Sequence, residues 1–137
     1  MSKLEEFGLP GVGSGILHPA MAHQFRVMLD ASELIAQQVT KVDINMLERD
    51  IVVYIQQPCT MAQEMLDEIS RLCSRTGSAT DFPHRFPFQL ELLDGAGQVY
   101  SGVSGYAHVV DHNLTLDYAD TGVATHVLML RYTRGGQ

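Results

Sequence analysis

The sequence predicts a mainly β protein: an antiparallel β-sandwich or barrel with one flanking α-helix. Three observations carry this. Apolar and polar residues alternate with a period of two through most of the chain, as in Phe86, Phe88, Leu90 and Leu92 against Pro87, Gln89 and Glu91. Turn-forming clusters at residues 94–97 (Asp-Gly-Ala-Gly) and 120–122 (Asp-Thr-Gly) separate the alternating runs. A helical period occurs in one stretch only, residues 60–75.

The 137 residues suggest one domain, 1–137, with residues 1–15 as a flexible arm carrying Gly8, Pro10, Gly11, Gly13 and Gly15. Its GVGSG follows no strand and opens no helix, so it is a poor phosphate loop. Residues 23–29 form the first strand, with His23, Phe25, Val27 and Leu29 on one face. Asp30, Ala31 and Ser32 make a turn. Residues 34–46 read as one extended run. In its second half Thr40, Val42, Ile44 and Met46 alternate with Lys41, Asp43 and Asn45. The polar cluster around Glu48 and Arg49 makes a hairpin tip, and IVVYIQQ, 51–57, is a strand apolar on both faces.

Pro58 ends that strand. Thr60 and Gln63 have the spacing of a capping box, and Met61, Met65, Ile69 and Leu72 follow at helical spacing. Residues 76–85 read as a loop. Strands follow at 86–92, 99–110, 114–118 and 124–132. Gly102 and Gly105 inside the second of these signal a bulge or a close backbone approach. The total is about seven strands and one helix. Strands this long exceed the usual five or six residues, so their edges must be paired or protected, and copies of the same chain are the economical partner.

Composition narrows the function. With 45% hydrophobic and 18% charged residues the chain is globular. No apolar run reaches the roughly 18 residues of a membrane span, so no stable membrane insertion is expected. The first residues lack the basic-then-apolar order of a secretory leader, so synthesis in the cytoplasm is expected. The formal net charge of -7 comes without a basic stripe, which argues against tight DNA binding. Cys59 and Cys73 match no zinc spacing. Around a regular helix they lie about 21 Å apart, whereas a disulfide needs Cα atoms within about 7 Å. They are either free buried thiols or a bridge between subunits.

No constellation for catalysis emerges. His108 and His112 on a strand share a face about 13 Å apart, too far for one ion unless a turn intervenes. Asp117 and Asp120 are turn formers before they are an acid/base pair. Ser14 and Ser104 lack the Gly-x-Ser-x-Gly elbow. A structural protein, not an enzyme, with no cofactor and no metal, is the expectation.

Four stretches are similar to the tail tube proteins of contractile-tailed bacteriophages: ILHPAMAHQFRVML at 16–29, QVTKVDINMLERDIVVYIQQP at 38–58, FPFQLELLDGAGQVYSGVSGYAHVVDH at 86–112 and LDYADTGVATHVLMLRY at 116–132. The order matters: an Ile-Leu-x-Pro lead into Phe-Arg-Val, and an Asp-Tyr-Ala turn before a strand ending Leu-x-Tyr. The resemblance implies hexameric rings stacked helically into a hollow tube, with long hairpins forming an intersubunit β-barrel. It implies a contractile sheath protein around the tube, baseplate and tail terminator proteins at its ends, and location in the virion tail. DNA would pass through the lumen without specific binding. A tube initiator or terminator and the type VI secretion tube component are variants. A small ligand-binding barrel or enzyme is the alternative from another class.

Under this resemblance Lys41, Asp43 and Asn45 are candidates for the lumen-facing side of the first long hairpin, the opposite face being the other choice. Leu47, Glu48, Arg49 and Asp50 are candidates for contact between rings, against a simple solvated turn. Cys59 and Cys73 are candidates for an intersubunit disulfide. Residues 11–19 are expected to pack on a neighbouring copy, and Phe25, Val27 and Leu29 to anchor the core.

Overall fold

A computed structural model describes residues 20–76 and 82–134. The flexible arm and the packing expected of residues 11–19 lie outside the described residues. Among the described residues there are eight strands and two helices. In chain order they are β1 (Phe25–Leu29), α1 (Glu33–Gln38), β2 (Val39–Asn45), β3 (Asp50–Gln56), α2 (Ala62–Leu72), β4 (Arg75–Thr76), β5 (Phe82–Pro83), β6 (Phe86–Leu93), β7 (Val99–Leu114) and β8 (Thr125–Arg134). Six of them form one antiparallel sheet in the order β1-β6-β7-β8-β3-β2, and β4 pairs with β5. The large sheet curls into a half-barrel, so the fold is mainly β as the alternation predicts.

The alternation decides which face is buried. Val27, Leu29, Ile51, Val53, Ile55, Phe86, Phe88, Leu90, Ala107, Leu128, Leu130 and Tyr132 form one buried face of the sheet. Ile35 of α1 and Met65, Ile69 and Leu72 of α2 join that core. Val27 and Leu29 are core residues as expected, and Phe25 packs partly buried against them. Val52, Tyr54 and Gln56 are half-buried, so β3 is enclosed on one face and covered less on the other.

Several boundaries differ from the expectation. Residues 34–38 are helical, not extended. Ser32 caps α1 by accepting from the Ile35 amide at 3.2 Å, and Leu, Ala and Gln then favour the helix. Asp30 and Ala31 adopt φ of 53° and 58°, reversing the chain into that cap. The capping box at Thr60 does not form. Met61 takes the N-cap position at φ 59° without a side-chain cap, and α2 ends at Leu72. Met61 is therefore exposed, while Met65, Ile69 and Leu72 are buried.

Thr40 lies at a bulge between Val39 and Lys41, so Val39, not Thr40, shares the core-side face with Val42 and Ile44. The expected 76–85 loop contains part of the β4–β5 ladder. The strand expected at 114–118 is absent. β7 runs on to Leu114, and residues 115–124 form a loop built on aspartate-capped turns. Gly102 marks a close approach: a Cβ there would meet the Leu90 carbonyl oxygen at 2.7 Å.

Candidate assembly surface

An antiparallel sheet that curls without closing leaves two edges with unpaired backbone groups. Among the described residues these are β1 and β2. Both line one cleft of about 920 Å³, with Met21, Phe25, Val39, Val42, Ile44 and Leu92 among its walls. The cleft is the seam where a full barrel would close. Each edge carries a charged device against indiscriminate pairing. On β1, Arg26 donates to Glu91 of β6 at 2.7 Å from Nε. On β2, the bulge at Thr40 is followed by Lys41, whose Nζ stands 3.7 Å from Asp43 Oδ2 and 5.0 Å from the Tyr54 ring centre.

Lys41, Asp43 and Asn45 share one face of β2, as the alternation predicts, and it is the face turned from the core. Their partners across the ladder are Tyr54, Val52 and Asp50. Tyr54 donates to Asp43 from its hydroxyl at 3.4 Å. Asn45 serves the hairpin itself, its Oδ1 accepting from the amides of Leu47 and Glu48 at 3.1 Å each. That Asx turn, with Arg49 at φ 59°, shapes the tip. Leu47 is 92% exposed there. Asp50 is committed within the subunit, accepting from Arg131 Nε at 2.9 Å, and this carboxylate raises the Arg131 pKa.

The two histidines of HVVDH part company. A bulge between Val109 and Asp111 shifts the register, so His108 pairs with Arg131 on the outer face and His112 with Leu128 on the core side. They do not share a face, because one extra residue inverts every side chain after it. His112 instead meets His126. His112 Nε2 lies 2.9 Å from His126 Nδ1, with the rings stacked at 5.2 Å. His126 Nε2 lies 2.5 Å from Gln57 Oε1. Gln57 donates from Nε2 to the carbonyls of Pro58 and Ala62, reaching the start of α2. The amide geometry makes His126 a donor at Nε2 and an acceptor at Nδ1. Burial, and then the neighbouring His112, lower its pKa. Sequence reasoning missed this chain of contacts. Its one signal is a histidine at an otherwise apolar inward position of β8.

Cys59 is exposed, while Cys73 packs partly buried at the end of α2. Burial raises the Cys73 pKa, which disfavours its thiolate. Of the two candidates for a bridge between subunits, Cys59 is the one presented at the surface.

A second cleft, of about 440 Å³, lies on the outer face beside the hairpin tip. Glu48, Arg49, Arg85, Tyr106, His108, Arg131 and Thr133 are among its walls. Arg85 donates to Thr133 Oγ1 at 2.7 Å, with its guanidinium 5.9 Å from the Tyr106 ring centre. No sequence pattern signals this grouping, since its members come from four separate segments. Neither a protein-family model nor a curated protein matches this chain.

Proposed function

We propose that the chain is a repeating subunit of a hollow tube of the kind found in contractile phage tails. The observation that carries the reading is the open seam: a half-barrel whose two edges, β1 and β2, have no further strand beside them among the described residues and border one largely apolar cleft. Strands of neighbouring copies, set against those edges, would satisfy the unpaired backbone and bury Phe25, Val42 and Ile44. The ordered resemblance of the four sequence stretches supports the same reading. So does the acidic net charge, which suits a wall past which DNA slides.

In this reading six copies make a ring, rings stack, and a sheath, baseplate and terminator engage the tube from outside and at its ends. The face bearing Lys41 and Asp43 is a candidate for the bore. An initiator or terminator role would differ in producing one ring and no polymer. Electron microscopy of the purified full chain is the test. Open-ended tubes support the reading, and single rings favour the initiator variant. A chain that stays monomeric at high concentration sinks both.

The same cleft favours a second reading, a small barrel that binds an apolar ligand. Saturable, one-to-one binding of an apolar fluorescent probe by a chain that never assembles would support it.

A further inference from the structure

The second cleft and the 115–124 loop are complementary surfaces at opposite ends of one strand. The cleft sits at the Asp50–Arg131 level, and the loop leads into Thr125, paired with Gln56 at the far end of β3. Six residues of β8 separate the two, about 20 Å of extended chain. A loop anchored at one end of a strand cannot reach the other end of the same strand. The two can meet only between copies.

Their chemistry matches. The loop, TLDYADTGVA, contains Asp117 and Asp120 and no cation. Asp117 Oδ1 accepts from the Ala119 amide and Asp120 Oδ1 from the Gly122 amide, which stiffens the tip. Leu116, Tyr118 and Val123 are 75%, 110% and 62% exposed, a large apolar display for so short a loop. The cleft groups Arg49, Arg85 and Arg131 with His108 against Glu48 and Asp50. Among the described residues three arginines thus stand against two carboxylates, in a chain of net charge -7. Tyr106 adds an aromatic wall, 53% exposed.

We propose that the 115–124 loop of one copy docks in the Arg85–Arg131 cleft of the next. Tyr118 lies against Tyr106 and Arg85, and the free edges of the Asp117 and Asp120 carboxylates face the arginines. The contact is heterologous, head to tail along β8, so it propagates rather than closing a pair. It rests on the tube reading, for which it supplies the contact between successive rings. A nucleic-acid backbone explains less, because it leaves the exposed Leu116, Tyr118 and Val123 of the loop without a partner.

The test uses full-length chains with Cys59 and Cys73 replaced by Ser. One carries Tyr118→Cys and the other Thr133→Cys, and the two are mixed under mild oxidation. A disulfide-linked pair of doubled mass, formed only in the mixture, supports the docking. In parallel, Arg85→Glu and Asp117→Arg should each cut polymer yield at least about tenfold, because like charges then face each other across the contact. Combining both changes in one chain should restore yield.

Tubes that form without the cross-link, and that the single charge reversals leave intact, overturn the docking and spare the tube reading. A chain giving neither tubes nor cross-link overturns both. A shift of duplex DNA that Arg85→Glu abolishes, without any cross-link, reassigns the cleft to nucleic acid and overturns the docking.

Discussion

His112 and His126, fourteen residues apart in sequence, stack at the end of the half-barrel with Nε2 and Nδ1 2.9 Å apart. His126 is fully buried and is tied to Gln57 on its other side. Two strands and the start of α2 therefore share one polar chain. Because burial lowers the His126 pKa from 6.5, the unfolded chain binds its proton at a higher pH than the folded one. Stability from this site is full above pH 6.5 and is lost as the pH falls from there through the lowered folded value. The part of thermal stability that His126 sets should be level around neutrality and fall below pH 6.5. In His126→Gln thermal melts should start lower but fall less steeply over that interval. Equal slopes in the two proteins would exclude His126 as the titrating group, and an NMR titration of the ring should place its midpoint below 6.5.

Gly102 holds β7 against β6. Because a Cβ there meets the Leu90 carbonyl oxygen at 2.7 Å, Gly102→Ala must push the two strands apart. A loss of about 1–3 kcal/mol in urea unfolding is expected. Gly95→Ala, with nothing within 4 Å of the added carbon, is the matched control and should stay within about 0.5 kcal/mol. Equal behaviour of the two variants would contradict the close approach.

Ser32 joins both helices. It caps α1 through the Ile35 amide and donates from Oγ to Glu68 Oε1 on α2 at 2.7 Å. Ser32→Ala should cost about 1–2 kcal/mol, the upper part of the range for a lost cap, because a buried amide and an inter-helix contact go together. Ser32→Asp keeps a cap but sets a second carboxylate beside Glu68, and should not rescue fully. Chemical denaturation of the three proteins decides this. An alanine variant as stable as the parent would remove Ser32 from the account.

The thiols should differ in reactivity. At mildly alkaline pH a thiol reagent should modify Cys59 rapidly in the folded chain, and Cys73 only after denaturant is added. Mass spectrometry of the modified peptides reads the order directly. In assembled material, a non-reducing gel should lose any linked species in Cys59→Ser and keep it in Cys73→Ser. Linkage that depends on Cys73 would require its end of α2 to open.

The strands around Phe86–Leu90 and His126–Tyr132 were legible because strict alternation over many residues has one physical outcome, a sheet with one buried face. Helix α2 was legible for the equivalent reason at the helical period. Residues 34–38 were not. ELIAQQ is too short for its period to show, and its state depends on Ser32 reaching two partners, one of them 36 residues away. Leu116 and Tyr118 kept the alternation of a strand, yet among the described residues no neighbouring strand lies there to pair with them, and they form a loop.

The sequence by itself determined the mainly β class, the core faces of the long strands and the polar side of β2, since each follows from local periodicity. Only the tertiary structure decided where the periods slip. The bulges at Thr40 and between Val109 and Asp111 each insert one unpaired residue, turning His108 outward and His112 toward His126. It also decided that the six described strands have their edges at β1 and β2, and that Arg49, Arg85 and Arg131 surround one cleft. The physical reason is the same throughout: register and curvature are set by pairing between distant strands, and no window of the sequence contains both partners.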